Sequence, residues 1–296
     1  MPKIVNKFLL YLKLSLVAMF FGGTFIAARV LSQALPPFTA SFFRFLVASL
    51  FLLLFLLSRP IKLPNFKLKI VFQIFFLALS GIAGYNYLFF SGMKFIHASR
   101  ASIIVSLNPA LISILSFLFF RERINSIKIF GIILSFIGAI IVITKGQLSF
   151  MTFGDIGIGE LYILGCVICW STFTIISKLV IQEMPPLTAI TLACLTGTCL
   201  LAIPAWQEGQ LFKFLQFSTE IWISVFALSI LGTVLAYIWY YEGLEKIGAS
   251  KTGIFINFVP VWATALAILI LGEQITMSFV LGALVVLSGV FLVNKK

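Results

Sequence analysis

Arg44 stands inside a long apolar run, where a cation can bind an anionic group. A charged side chain at the centre of a bilayer costs about 2.5–3.5 kcal/mol on insertion scales, so such a residue calls for a compensating interaction. None of the nine acidic residues precedes Glu122. The partner could therefore be Glu160 or Glu273 from the second half of the chain, or a carboxylate of a bound ligand. A snorkelling arginine that binds backbone carbonyls and lipid headgroups is the structural alternative.

Aromatic side chains cluster in two further apolar runs, as YNYLFF at 85–90 and YIWYYE at 237–242. Rings with polar tips suit a cavity for apolar or aromatic ligands, and an interfacial aromatic belt is the alternative. Trp170 and Trp262 lie in two other runs, where ordinary packing competes with a role as a gate. The candidate ligand-binding residues are Arg44, Tyr85, Asn86, Tyr87, Trp170, Tyr237, Tyr240, Asn257 and Trp262.

Two prolines interrupt apolar runs near their middles, Pro109 after Asn108 and Pro260 three residues after Asn257. Proline removes a helical hydrogen bond and clashes with the preceding turn, so both runs are predicted to kink. The freed carbonyls can bind a ligand, water or a neighbouring helix. Because related positions carry the break, we interpret Asn108, Pro109 and Pro260 as hinge residues, with a fixed bend as the alternative.

No pattern in the sequence supports catalysis, ATP hydrolysis or metal binding. Cys166 and Cys169 have the spacing of a metal or redox pair, but no histidine or third cysteine is near, which favours small apolar fillers. There is no Walker motif, and no acid lies at a helix centre to carry a proton. We therefore predict no catalytic residue, no metal and no cofactor, and we expect that the protein is not an enzyme.

The composition places these residues in a membrane. Of the 296 residues, 61% are hydrophobic and 10% are charged, whereas soluble domains carry about 25% charged residues. In lipid, backbone polar groups must pair internally, and apolar runs close to 20 residues long are typical of helices rather than of alternating barrel strands. We predict an all-α polytopic membrane protein with ten transmembrane helices, at 12–32, 37–58, 69–90, 99–120, 127–144, 159–181, 187–205, 220–242, 250–271 and 277–294.

The two halves of the chain repeat one another. The segment at 101–124 matches 252–275 at a spacing of 151 residues, and 28–40 matches 177–189 at a spacing of 149 residues. Glycine and proline determine backbone geometry, so their repetition indicates a repeated fold. The most informative pairs are Gly81/Gly232, Gly92/Gly243, Pro109/Pro260, Glu122/Glu273, Gly131/Gly282, Gly138/Gly289, Pro36/Pro185 and Pro37/Pro186.

This repetition predicts two units of five helices, residues 1–148 and 149–296. Because five is an odd number, the second unit enters the membrane from the opposite side. Inverted repeats related by a two-fold axis in the membrane plane can exchange conformations, which gives alternating access to a site near the midplane. The pattern therefore indicates a secondary transporter before any family is considered.

The net charge of +12 is explained by orientation rather than by nucleic acid. With the N-terminus in the cytoplasm, fifteen Lys and Arg residues lie on the inner side and five on the outer side. The positive-inside rule then predicts that both termini are cytoplasmic. The basic inner face would favour anionic lipids of the inner leaflet, and we expect no nucleic-acid partner.

The whole layout resembles the drug/metabolite transporter superfamily, specifically its EamA-type ten-helix exporters. The resemblance rests on PPFTASFFRFLVASL at 36–50 and on the duplicated segments 96–124 and 247–275, each followed by two glycines seven residues apart. It covers almost the whole chain. It implies export or exchange of small metabolites, often amino acids, and a central cavity lined by helices three, four, eight and nine.

Together these features predict a secondary transporter of the inner membrane that works by alternating access, and we expect it to function as a monomer. Apolar or aromatic amino acids are the favoured substrates, because of the aromatic residues and Arg44. Nucleotide-like metabolites or drugs are alternatives within the same superfamily. A channel or a membrane-embedded enzyme is the rival from another class, although the helices show neither a polar stripe nor clustered titratable groups.

Overall fold

The computed structural model describes residues 7–58, 67–122, 124–146, 157–247, 252 and 255–294. These parts of the chain are helical and contain no strand. We number the helices as follows: α1 Lys7–Ala34, α2 Pro37–Leu57, α3 Leu68–Met93, α4 Ala98–Phe120, α5 Ser126–Ile143, α6 Ile158–Val180, α7 Pro186–Gln207, α8 through Thr219–Phe226, Ala227–Leu235 and Ala236–Ile247, α9 Val259–Leu271, and α10 Met277–Asn294.

The described residues include nine helices that are long and apolar enough to cross a membrane. The tenth, α9, is shorter, because a turn at 257–258 separates it from what precedes it. The sequence predicts this helix over 250–271, and most of its first third lies outside the described residues. The predicted class, an all-α polytopic membrane protein, is confirmed. The predicted unit boundary at 148–149 also lies outside the described residues.

Matching helix ends show how the two halves are related. Prolines begin α2 and α7, because their fixed φ and missing N–H suit the first helical turn. Arg121 and Gly272, which are 151 positions apart, end α4 and α9 with positive φ angles of 55° and 65°. The repeated sequence therefore produces repeated backbone geometry at the starts of α2 and α7 and at the ends of α4 and α9.

The proline interruptions appear at equivalent points of α4 and α9. The α-helical conformation of α4 is interrupted by a turn between Val105 and Asn108. A turn at 257–258 likewise precedes Val259 and Pro260. The predicted kinks are thus present. A hinge role for Asn108, Pro109 and Pro260 stays a prediction.

Two π-helical segments lie at equivalent positions of α3 and α8, at Ala78–Gly84 and Ala227–Leu235. The sequence analysis does not anticipate them. A π-segment carries a wider turn than an α-helix and is often found where a helix serves a functional site. These segments lie in the middle of their spans, and each contains one glycine of the repeated pair Gly81/Gly232.

Four repeated glycines join α5 and α10. A Cβ atom on Gly138 would lie 2.5 Å from the backbone nitrogen of Val286 and 2.8 Å from the carbonyl oxygen of Gly282. A Cβ atom on Gly131 would lie 2.8 Å from the carbonyl oxygen of Gly289. Small residues allow this close backbone approach, as at many helix interfaces in membranes. The contact Gly131–Gly289 becomes Gly282–Gly138 when the halves are exchanged.

A second contact between equivalent positions of the two halves joins α2 and α7. The hydroxyls of Ser49 and Thr198, which are 149 positions apart, are hydrogen-bonded at 3.1 Å. Equivalent residues can touch only near the axis that relates them. A pseudo-two-fold axis therefore passes between α2 and α7 and between α5 and α10. The expected architecture of two inverted five-helix repeats is confirmed.

Candidate functional site

Arg44 lies in α2 beside the pseudo-two-fold axis, five residues from Ser49. Its side chain is buried, with 8% of the residue exposed. Nη1 donates to Oδ1 of Asn86 at 2.8 Å, and Nη2 donates to Oγ1 of Thr233 at 3.4 Å. Nε is buried and has no hydrogen-bond acceptor among the described residues. The guanidinium is thus enclosed by neutral groups, and its charge has no ionic partner in the described chain.

Asn86 and Thr233 connect Arg44 to the two π-segments. The amide nitrogen of Asn86 donates to the carbonyl of Ile82 at 2.8 Å, and the hydroxyl of Thr233 donates to the carbonyl of Leu228 at 2.9 Å. Each side chain donates a hydrogen bond to a backbone carbonyl of its own helix, and its oxygen accepts a hydrogen bond from the guanidinium. Arg44 therefore bridges the middle of α3 in the first half and the middle of α8 in the second half.

The acids that the sequence offers as partners of Arg44 bind elsewhere. Glu160 pairs with Arg100 at 2.8 Å. Glu273 accepts hydrogen bonds from the backbone of Ala98 at 2.7 Å and from the hydroxyl of Ser99 at 2.5 Å, so it caps α4. The hypothesis that either acid neutralises Arg44 is therefore wrong for this conformation, because both are held at the end of the bundle.

The remaining described acids that form ion pairs or caps also lie at the ends of the bundle. We call these the Pro36 end and the Pro185 end, after the proline turn that each contains. At the Pro36 end, Glu208 caps α2 through the backbone of Thr39 at 2.6 Å. At the Pro185 end, Glu122 pairs with Lys178, and Glu242 pairs with Lys13 at 2.8 Å and Lys246 at 2.7 Å.

Three of the predicted aromatic residues surround the Arg44 region. The rings of Tyr85 and Trp170 are 5.4 Å apart, and the ring of Tyr237 lies 6.0 Å from that of Phe21. Tyr85 directly precedes Asn86 in α3, and Tyr237 follows Thr233 by about one turn in α8, so both lie next to the residues that bind Arg44. All three predicted residues are half-buried. Apolar faces and phenolic hydroxyls are thus brought together around one buried cation.

The other candidates lie outside this group. Tyr87 stacks on Phe38 with ring centroids 4.4 Å apart, near the start of α2. Tyr240 contacts Tyr241, and Asn257 accepts a hydrogen bond from Asn294 at 3.2 Å.

Trp262 and Asn108 are also separate from the Arg44 group. Trp262 is 38% exposed, and its Cβ atom approaches Gly22 of α1. Asn108 is buried, and its side-chain oxygen has no partner among the described residues.

The helices that build this region differ in part from those that the family resemblance implies. Arg44 comes from α2, its hydrogen-bond partners come from α3 and α8, and Trp170 comes from α6. Helices α3 and α8 therefore contribute as expected, whereas none of the described hydrogen bonds of the guanidinium reaches α4 or α9.

Thr233 is the main residue of this group that the sequence analysis does not select. A polar residue next to the repeated Gly232, in the middle of an apolar run, is a signal that could have found it. The repeat also reveals an asymmetry, because the position equivalent to Arg44 is Ala193. Among the residues that the structure describes, only the first half supplies a charge to the centre of the bundle.

A cavity of about 790 Å³ opens at the Pro36 end between α1, the start of α8 and the end of α9. Its lining includes Arg29, Gln33, His97, Glu220 and Glu273. Arg44 is not part of this lining. The cavity therefore lies on one side of the buried region rather than within it.

An all-helical bundle of inverted repeats, with a buried and unpaired cation between the halves, is the architecture of a membrane transporter. The model of the EamA-like transporter family matches residues 9–144 and again 157–295, so the chain belongs to the EamA-like transporter family. Each match covers one of the two repeats, and the family agrees with the resemblance found in the sequence.

Several curated relatives are similar over nearly their whole length. An uncharacterized transporter of Bacillus subtilis, YyaM, is 28% identical over 95% of this chain and 92% of its own. An uncharacterized transporter of Archaeoglobus fulgidus is 27% identical over 97% of this chain and 99% of its own. A solved structure described only as the crystal structure of a protein has a TM-score of 0.64 at 18% identity, with 94% of each chain covered. That structure supports the fold alone.

Proposed function

We propose that this multi-pass membrane transporter exports or exchanges small metabolites that carry a carboxylate, with apolar and aromatic amino acids as the first candidates. The observation that carries the proposal is Arg44, a buried guanidinium with no carboxylate partner in the described chain. A charge held in this way near the centre of a membrane is a functional residue by default, and a substrate carboxylate is the group that it fits.

The surroundings of Arg44 support an amphipathic substrate. Tyr85, Trp170 and Tyr237 offer apolar faces to a side chain, and the phenolic hydroxyls can bind its polar atoms. Aromatic faces also attract an ammonium group, which suits the cationic end of an amino acid. A nucleotide-like metabolite carries more negative charge than one guanidinium can neutralise, so it is the second candidate.

The symmetry of the fold supports alternating access as the mechanism. Two halves related by an axis in the membrane plane can exchange conformations and so open the central region to each side in turn. The acid pairs and caps at the two ends are suited to close those ends. Since the described acids lie at the ends, exchange or facilitated diffusion requires fewer assumptions than proton coupling.

Counterflow in proteoliposomes tests this function. Vesicles are loaded in turn with unlabelled amino acids, nucleotides or polyamines, and entry of the matching labelled compound is followed without an ion gradient. We expect apolar or aromatic amino acids to accelerate entry, and empty vesicles serve as the control. Acceleration by nucleotides alone would select the second candidate. No exchange by any class, even with an imposed proton gradient, would contradict the transporter proposal.

The charge distribution supports an inner-membrane location with both termini in the cytoplasm, which places the Pro36 end outside and the Pro185 end inside. Single cysteines near Pro36 and Pro185, in a chain without its four native cysteines, should react with an impermeant maleimide from opposite sides of the membrane. Cells and inverted vesicles supply the two sides. Labelling of both positions from the same side would contradict the orientation.

A further inference from the structure

The guanidinium of Arg44 lacks a counter-ion from the described protein, although it is buried in the middle of the bundle. A guanidinium stays protonated in proteins, so neutralisation by loss of a proton is not available to it. Its acceptors, the side-chain oxygens of Asn86 and Thr233, are neutral. The nearby ring of Phe45, whose centroid is 5.1 Å from Cζ, adds only a weak attraction.

We propose that Arg44 is a binding site for a small monovalent inorganic anion, which is chloride in the cell, and that the carboxylate of the substrate displaces this anion. This inference rests on the proposed function, because it assigns a second ligand to the same site. It goes beyond that function, because it makes a common ion a direct competitor of the substrate.

The available hydrogen-bond donors favour an anion at this point. A guanidinium has five N–H groups, and two of those of Arg44 donate to Asn86 and Thr233. The buried Nε–H has no acceptor among the described residues. Tyr85 and Tyr237 lie within about one helical turn of Asn86 and Thr233, and their hydroxyls are further donors for the same anion.

Charge balance selects a monovalent ion. Among the described residues, Arg44 is the one cation that faces this region, because the equivalent position is Ala193. The described acids add no negative charge here, because they form pairs or caps elsewhere or lie at the surface. A divalent anion would leave an uncompensated negative charge inside the membrane, which is as costly as the unpaired cation. A halide or the carboxylate of a substrate leaves none.

The anion should stabilise the folded protein, since a ligand that binds only the native state raises its stability with concentration. The purified full chain is unfolded thermally while sodium chloride replaces sodium isethionate, a bulkier organic anion without a carboxylate, at constant ionic strength. We expect a saturable rise in the unfolding midpoint for the wild type and no rise for Arg44→Gln. Arg100→Gln is the matched control, because Arg100 is already paired with Glu160, and it should respond like the wild type.

Chloride should also compete with the transported carboxylate. In counterflow, we expect KM to be at least about twofold higher in ~150 mM chloride than in isethionate with kcat unchanged, since a competitor present at its own dissociation constant doubles KM. This comparison uses only the wild type, so it tests anion binding even where Arg44→Gln does not fold.

Two results would overturn the inference. Equal midpoints and equal KM values in chloride and isethionate would show that no such anion binds. A chloride response that persists in folded Arg44→Gln would place the anion elsewhere. Carboxylate counterflow without any chloride effect would remove the anion site and leave the proposed function intact. Absence of counterflow would contradict the function, while the unfolding midpoint would still test the anion site.

Discussion

Replacement of Arg44 by glutamine is expected to lower kcat/KM for a carboxylate substrate by roughly 30-fold or more, because removing one partner of a buried, hydrogen-bonded charge pair costs about 2–5 kcal/mol. Glutamine is polar and uncharged, but its side chain ends two bonds short of the Nη atoms that donate to Asn86 and Thr233. For the uncharged amide of the same substrate, the loss should be only a few-fold. Counterflow of the matched acid and amide measures both values in one preparation.

Two controls separate binding of the carboxylate from a structural role for Arg44. Arg44→Lys retains the charge and should keep the preference for the acid over the amide, although its different geometry will weaken binding. Arg100→Gln alters a guanidinium that is paired with Glu160 and should leave this preference unchanged. Equal losses for the acid and the amide in Arg44→Gln would mean that Arg44 supports the fold rather than the substrate.

Alanine at Gly138 is expected to destabilise the protein by about 1–3 kcal/mol, the usual cost of adding atoms to a packed interface. Its Cβ atom would stand 2.5 Å from a backbone nitrogen and 2.8 Å from a backbone oxygen of α10, so the two helices must separate. Gly289→Ala, at the equivalent position, should cost a similar amount, because its Cβ atom would lie 2.5 Å from the backbone nitrogen of Ser135. Thermal unfolding of the purified protein measures both changes.

Gly23 provides a matched control on α1. The nearest atom to its added Cβ would be Cδ1 of Leu266, at 3.8 Å, which is an ordinary contact. Gly23→Ala should therefore be neutral or slightly stabilising, since alanine is the better helix former. Equal destabilisation by Gly23→Ala and Gly138→Ala would mean that close packing of α5 on α10 is not what requires glycine.

The sequence predicts the fold well because its strongest signals are local. Apolar runs determine the helices, and proline breaks them at the residues where breaks are found. The repeated glycines predict repeated geometry, although their role in joining α5 to α10 depends on a contact between distant segments. The start of α1 is a smaller difference, since Lys7–Ala34 extends beyond the predicted 12–32 by continuing past the apolar core.

The candidate site is harder to predict because it depends on lateral positions around the bundle. Sequence order places Glu160 and Glu273 on the same side of the membrane as Arg44, but it does not reveal that Arg100 and the start of α4 bind them first. The π-segments cannot be predicted in this way either, because one wider turn leaves the apolar pattern of the helix unchanged. Arg44 can be found from the sequence, because a charged residue inside an apolar run is unusual whatever the tertiary structure is.

The contacts on the pseudo-two-fold axis have a consequence for the balance between inward-facing and outward-facing populations. In the proposed cycle that exchanges the conformations of the two halves, the hydrogen bond between Ser49 and Thr198 is converted into itself, and the two glycine contacts of α5 and α10 are converted into one another. Changes there alter both states by nearly equal free energies and leave their ratio almost unchanged. Arg44 has no equivalent partner, since Ala193 occupies that position. In the proposed alternating-access cycle, substitution of Arg44 should therefore shift the ratio, and we expect such unmatched residues, rather than the symmetric contacts, to determine which side the resting protein faces.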